Sequence, residues 1–500
     1  MPRLVLTLMC LLFSVSALAG TRVVIATATE INTLDPHMTT SVGSDLSVAS
    51  HLYSSLIIRG PDLQLQPGLA RQWQAVSPTR WRFELVPGAH FANGEPLDAA
   101  TVQWNFQRIL APDAKARIKP WFTLIDRVQV IDAHTVQIDT REPFAALPAQ
   151  LSMFFLLPPR WSATHDPANE SMPSGPYRIV DHRPGDRLLL ARNPDFWGPP
   201  APFDEVELRT IPQDSSRVAA LLAGEVDVIT NIPLSEVKRI QHSGRADAGA
   251  IASTRSVFIK LNTLRAPLDQ VKVRLALNYA IDKRGMVKAL FDDQAPVSNC
   301  QLLTPAYFGY NRDLKPIAYD PQKARALLHE AGVKPGTRLQ LEVPGNAYLQ
   351  GNEVTQVVAA QLQEVGLDVQ LVQFDFGSWM NKYLKAHALG DMALLTHAWP
   401  TIDADGLLSL LQGNSNYAYY KDAVFDADLS AGRGTLDPQA RQRAYTAATE
   451  RLCSQAPVIF LYEQPFTYAT SHRIRWHARG DDWLRAFDMS PAMERSHANP

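Results

Sequence analysis

Cysteine is scarce in this chain, with three among 500 residues, and one of them, Cys10, falls in an opening stretch that reads apart from the rest. Arg3 supplies a positive start, Leu4 to Val15 form an apolar run of about a dozen residues, and Ala17-Leu18-Ala19 ends it in small side chains. That is the pattern of a secretory signal segment, residues 1–19, too short to cross a bilayer as a helix and suited to cleavage after Ala19. Met9 is too large for the small residue that lipid attachment at Cys10 would need. Export leaves Cys300 and Cys453, an even pair that an oxidising compartment allows to bond. Spacing alone does not choose between a disulfide and two buried thiols.

Long apolar runs and charge excess are missing too. No later segment has eighteen uninterrupted apolar residues, so the mature chain is expected to be soluble. The 48 Lys and Arg nearly balance 50 Asp and Glu, and without Arg3 the formal charge is −3, with 47 basic against 50 acidic side chains. Such a balance offers no field for nucleic acid. There is no G-x-S-x-G elbow, no H-E-x-x-H, no phosphate loop and no G-x-G-x-x-G after a strand. The 13 histidines form no pair or Cys/His cluster with ligand spacing. No catalytic group, metal or cofactor is therefore assigned.

What remains is about 480 residues, too many for one core when single cores stop growing near ~250–300 residues. Short apolar strands alternate with capped amphipathic helices, which indicates α/β or α+β layers and excludes a bundle or an all-β barrel. Val23 to Ala26 reads as an opening strand. Asp98 caps a helix with Val102, Phe106, Ile109 and Leu110 on one face. Asp320-Pro321 and Asp437-Pro438 place an N-cap acid before a proline at the first helical position, where its missing N–H costs nothing. Gly224 and Gly366 close helices ahead of strands Val226 to Thr230 and Val369 to Phe374. Asp126 to Ile131 and Thr135 to Ile138 form a hairpin. Pro158-Pro159, Ser174-Gly175-Pro176 and Gly198-Pro199-Pro200 mark expected crossings between lobes.

Distinctive phrases follow one another in a fixed order along nearly the whole mature chain. They run from Thr33-Leu34-Asp35-Pro36 through Leu69-Ala70 and Trp73 to Trp81-Arg82-Phe83-Glu84-Leu85. The densest is Phe91-Ala92-Asn93-Gly94-Glu95-Pro96-Leu97-Asp98-Ala99. Ser174-Gly175-Pro176-Tyr177, Arg192-Asn193-Pro194, Gly224-Glu225-Val226-Asp227, Val273-Arg274 and Tyr319-Asp320-Pro321 continue the order. Together these phrases resemble the bacterial peptide- and nickel-binding receptors, extracytoplasmic solute-binding protein family 5. Val86-Pro87 departs from the pattern, where the family usually carries a basic residue before Gly88. The resemblance implies an α/β, two-lobe periplasmic binding protein fold of type II, with an extra domain inserted in lobe 1. Lobe 1 would hold residues 20–55, 180–260 and 472–500, the inserted domain 56–179, and lobe 2 261–471. It also implies a monomeric, non-catalytic periplasmic receptor. Such a receptor captures a short peptide or peptide-like solute, glutathione-like molecules included, and hands it to an ABC import permease. A nickel or other metal chelate, or an opine-like complex, is the alternative ligand, and a periplasmic peptide hydrolase is a third reading.

In the family's peptide receptors an acid three positions after a tryptophan in a late loop pairs with the ligand ammonium. Here that loop is His397-Ala398-Trp399-Pro400-Thr401-Ile402-Asp403-Ala404-Asp405-Gly406, and the third position is Ile402. Asp403 or Asp405 is the expected anchor, because a buried carboxylate facing an ammonium is strong when both are hydrogen-bonded. Asp405 could instead cap a helix from Leu407 to Leu411. Trp399 is expected to line the cleft. Thr39, Thr40 and Ser41 join it from the first lobe, and Asn414, Asn416 and Tyr417 from the second.

Overall fold

Ten strands form one sheet through the whole molecule in the computed structural model, which describes residues 21–345 and 348–492. The expected signal segment and residues 493–500 of the expected first lobe lie outside the described residues. Two central strands, Ala246–Leu261 and Val458–Ser471, are 16 and 14 residues long and antiparallel to each other. Their register breaks between Ala252 and Ser256 and again between Val257 and Phe258. On one side of the break the sheet continues into Val228–Thr230, Arg22–Thr27 and Glu205–Thr210. On the other it continues into Met392–His397, Arg338–Pro344 and Asp368–Phe374. Two lobes thus share two strands. A bulge bends a strand and increases its local twist, and the irregular segment 253–255 lies where the sheet passes from one lobe to the other.

The expected crossing points lie elsewhere. Ser174-Gly175-Pro176 joins the inserted domain to the first lobe, with the Ser174 and Gly175 amides both donating to the Leu52 carbonyl at 2.9 Å. The lobe crossings run inside continuous strands, which need no proline or glycine and so leave no punctuation. Gly480 does matter at this point, since a Cβ there would sit 2.3 Å from the Ala252 carbonyl oxygen. The chain from the C-terminal segment therefore passes directly over the bulge, and Thr254 donates its amide to Gly480 at 2.8 Å.

The inserted domain is an antiparallel sheet of Ala70–Ser77, Arg80–Leu85, Thr135–Thr140 and Ile125–Asp132 in that order. Helix Ala99–Leu110 packs over it. Asp98 caps that helix by accepting from the Thr101 amide, and Val102, Phe106 and Ile109 enter a core with Phe83, Phe91 and Phe154. The caps at Asp320 and Asp437 form as the sequence predicts, and Gly224 and Gly366 adopt φ of +77° and +98°.

In the second lobe Cys300 and Cys453 are joined in a disulfide, with Cα atoms 5.2 Å apart and a sequence separation of 153. A cross-link over so long a loop removes much denatured-state entropy, and such bonds typically contribute about 2–4 kcal/mol.

Candidate functional site

Strand Met392–His397 delivers the late loop to the boundary between the lobes. The chain then turns sharply, with the Ile402 amide donating to the Trp399 carbonyl at 3.0 Å. Ile402 takes a left-handed φ of +50°, costly for a β-branched residue and a mark of a tightly determined backbone. The turn leaves Asp403 extended, and its carboxylate accepts the Asp405 amide at 3.0 Å. Asp403 is therefore the N-cap of helix Ala404–Leu408, and Asp405 lies inside its first turn. The cap expected at Asp405 lies two residues earlier, at Asp403, because the helix begins at Ala404.

Both acids already hold a guanidinium. The Arg441 Nη2 group donates to the two Asp403 carboxylate oxygens at 2.8 and 2.9 Å, with Phe308 4.6 Å from the guanidinium carbon. Burial pushes the Asp403 carboxyl above its ordinary range, against the pull of Arg441. Arg433 Nε donates to Asp405 at 2.9 Å. Arg433 and Arg441 come from helices Ala423–Arg433 and Pro438–Gln455, so these pairs tie the loop to two helices of its own lobe.

Different residues reach across. Arg59 comes from strand Ile57–Arg59 and donates through Nη2 to the Thr401 carbonyl at 2.6 Å and through Nη1 to Leu63 at 2.6 Å. Its Nε has no acceptor among the described residues. Burial pushes the Arg59 guanidinium down to about 10. Trp121 of the inserted domain meets Trp399 edge to face, ring centres 6.1 Å apart. The indole of Trp399 lies directly on Gly406, where a Cβ would come within 2.0 Å of it. Arg255 sits in the bulge and pairs with Asp482 of the C-terminal segment, while also donating to Thr396 Oγ1 at 3.1 Å. Burial opposes its charge, yet the Asp482 carboxylate holds Arg255 above the ordinary arginine range. His397 is kept neutral, pushed down to about 3 by burial and by nearby Lys260 and Arg255.

The other expected residues are spread around this contact. Thr39 is buried and accepts the Ser41 amide at 3.1 Å, Thr40 is exposed, and Ser41 bonds Ser44 at 2.7 Å. Tyr417 packs against His397 at 6.2 Å, whereas Asn414 and Asn416 are exposed. Among the described residues no group of three His, Cys, Asp or Glu could hold a metal ion.

Two lobes sharing two strands, with a domain inserted in the first, is an architecture that comparison with known proteins places directly. The model of "Bacterial extracellular solute-binding proteins, family 5 Middle" matches residues 64–419. The chain belongs to this family. Family 5 relatives include a glutathione-binding protein, GsiB, of Pectobacterium atrosepticum, 28% identical over 93% of each chain. That of Escherichia coli K12 is 26% identical over 92% of each. Among solved structures, the DppA periplasmic binding protein of Helicobacter pylori with peptide STSA superposes with a TM-score of 0.83 at 22% identity, over 95% of this chain and 98% of that one. NikA of Brucella suis with Fe(III)-EDTA gives 0.84 at 22%, over 94% and 99%. The likeness to these structures is one of fold.

Family phrases do not mark Arg59, Trp121, Arg255 or Asp482, which sequence reasoning missed. The arginines carried no signal beyond their charge, since nothing local announces burial. Glu463 was missed for the same reason. It is 4% exposed, opposite Ser256 at the bulge, and burial alone pushes its carboxyl up from 4.5 to about 7. Between pH 4.5 and 7 the folded state keeps a proton that the unfolded chain has released, so stability falls as pH rises through that window. Glu463→Gln should therefore stabilise the protein by roughly 3 kcal/mol at pH 8 and hardly at all at pH 4.5. Urea unfolding at the two pH values checks this, and equal shifts at both would contradict it.

Proposed function

We propose that this family 5 protein is a non-catalytic receptor that closes on a short, carboxylate-bearing peptide or peptide derivative between its lobes, glutathione-like molecules included. It then presents the closed form to an ABC import permease. The observation that carries the reading is a mismatch of charge at the lobe boundary. Asp403 and Asp405 are neutralised by Arg441 and Arg433, whereas Arg59 is buried and bonded only to carbonyl oxygens. Arg255 and Asp482 satisfy one another across the bulge. A zwitterionic ligand can bring its carboxylate to Arg59 and Arg255 and its ammonium to Asp482. Trp121 and Trp399 supply flat apolar walls. Such contacts are complete only when the lobes are together, so the ligand selects the closed state.

The relatives' affinity for glutathione supports a small ligand rich in carboxylates. Blocking groups test it. Equilibrium binding should show that amidating a peptide's carboxyl weakens it more than acetylating its amine does. The reverse order would return the leading role to an acid. Intact ligand recovered in equimolar amount after incubation distinguishes a receptor from a hydrolase, which would return fragments with turnover.

A further inference from the structure

A cavity of about 340 Å³ opens at the junction of the first lobe and the inserted domain, one strand away from the boundary between the lobes. Its walls include Tyr53, Phe155, Phe196, Trp197 and Phe487, with the proline-rich turn 198–202, and no lining residue comes from the second lobe. Strand Ile57–Arg59 separates it from the interlobe contact. Ile58 lines the cavity, while Arg59, the next residue, faces the opposite side and reaches Thr401.

Arg485 also lines the cavity, and it is 2% exposed. Its Nη1 donates to the Arg59 carbonyl at 2.8 Å, and its Nε has no acceptor among the described residues. The nearby acids are taken, since Arg479 holds Asp481 at 2.8 Å and Asp488 at 2.6 Å. Trp483 covers the guanidinium, with its ring 4.1 Å away. Burial, reinforced by Arg479, pushes Arg485 down to about 9, so it is still a cation at neutral pH. The hydroxyl of Tyr53, another lining residue, is likewise buried without a partner among the described residues.

We propose that this cavity is a second ligand site, which takes a small aromatic or branched apolar monocarboxylate with its carboxylate on Arg485. A buried guanidinium lacking a counterion is costly, and a carboxylate is the partner whose geometry fits it. The volume lies near the lower end of small-molecule sites, roughly 300–1,000 Å³, which suits a one- or two-ring acid and excludes a peptide chain. The site shares no lining residue with the interlobe contact and stands whatever that contact binds.

The test is calorimetric titration of the purified protein with 1-naphthoate and with its neutral isostere, 1-naphthamide. One equivalent of naphthoate should bind at least tenfold more tightly than the amide. Arg485→Gln should bring naphthoate down to the amide's affinity, and Ile58→Trp, which narrows the cavity without touching the charge, should weaken both. Saturating glutathione or peptide should not displace naphthoate. Equal affinity for acid and amide in the unmodified protein, no effect of Ile58→Trp, or competitive displacement would each overturn the proposal. Should Arg485→Gln fail to fold, the acid–amide comparison and Ile58→Trp still decide. A protein that binds no peptide but discriminates naphthoate from naphthamide would refute the interlobe reading alone.

Discussion

Asp403→Ala is expected to lower the unfolding free energy by about 3–5 kcal/mol, the cost of leaving one member of a buried ion pair without the other. Arg441 would keep its contacts with Phe308 and Tyr445 but lose both oxygens that neutralise it. Helix Ala404–Leu408 would lose its cap as well, which alone is worth ~1 kcal/mol. Ligand binding by the folded fraction should fall equally for a free-amine peptide and its acetylated form. Denaturant titration with parallel binding measurements gives the answer. Unchanged stability together with a selective loss of the free-amine peptide would show that Asp403 faces the ligand ammonium after all.

Arg59→Met is expected to do the opposite. It keeps the apolar stem of the side chain and removes the charge, so the fold should survive while affinity for a free-acid peptide drops by about 10²–10³-fold, or ~3–4 kcal/mol. The carboxyl-amidated peptide should lose little, because it offers no charge for Arg59 to meet. Binding isotherms for the two peptides against wild type and variant measure the difference. Equal losses would place Arg59 in support of the Thr401 carbonyl rather than against the ligand.

These two variants separate what can be read locally from what cannot. Caps at Asp98, Asp320 and Asp437 were legible because a cap is a contact over two or three residues, and the same chain segment supplies both partners. The hairpin around residues 132–134 was legible for the same reason. The roles of Asp403 and Asp405 were not. Their partners are 38 and 28 residues away, and whether a carboxylate is free for a ligand depends on such partners alone. Spacing from Trp399 also failed to foresee the left-handed Ile402, which resets where the helix begins. The register break at 253–255 was equally silent, since a bulge leaves no residue type that a regular strand would exclude.

The sequence by itself determined that the chain is built of α/β layers with more than one core, and that it carries family 5 phrases in order. It also located the loop around Trp399 and left Cys300 and Cys453 as the one possible pair. Composition and periodicity are sums over neighbours, and they suffice for such statements. Tertiary structure alone decided that the cysteines bond, that the two acids pair with arginines of their own lobe, and that Arg59 and Arg485 are buried with Nε unpartnered among the described residues. Burial removes water from a charge and makes its nearest partner decisive, and that partner is chosen by the fold across distances the sequence does not encode locally.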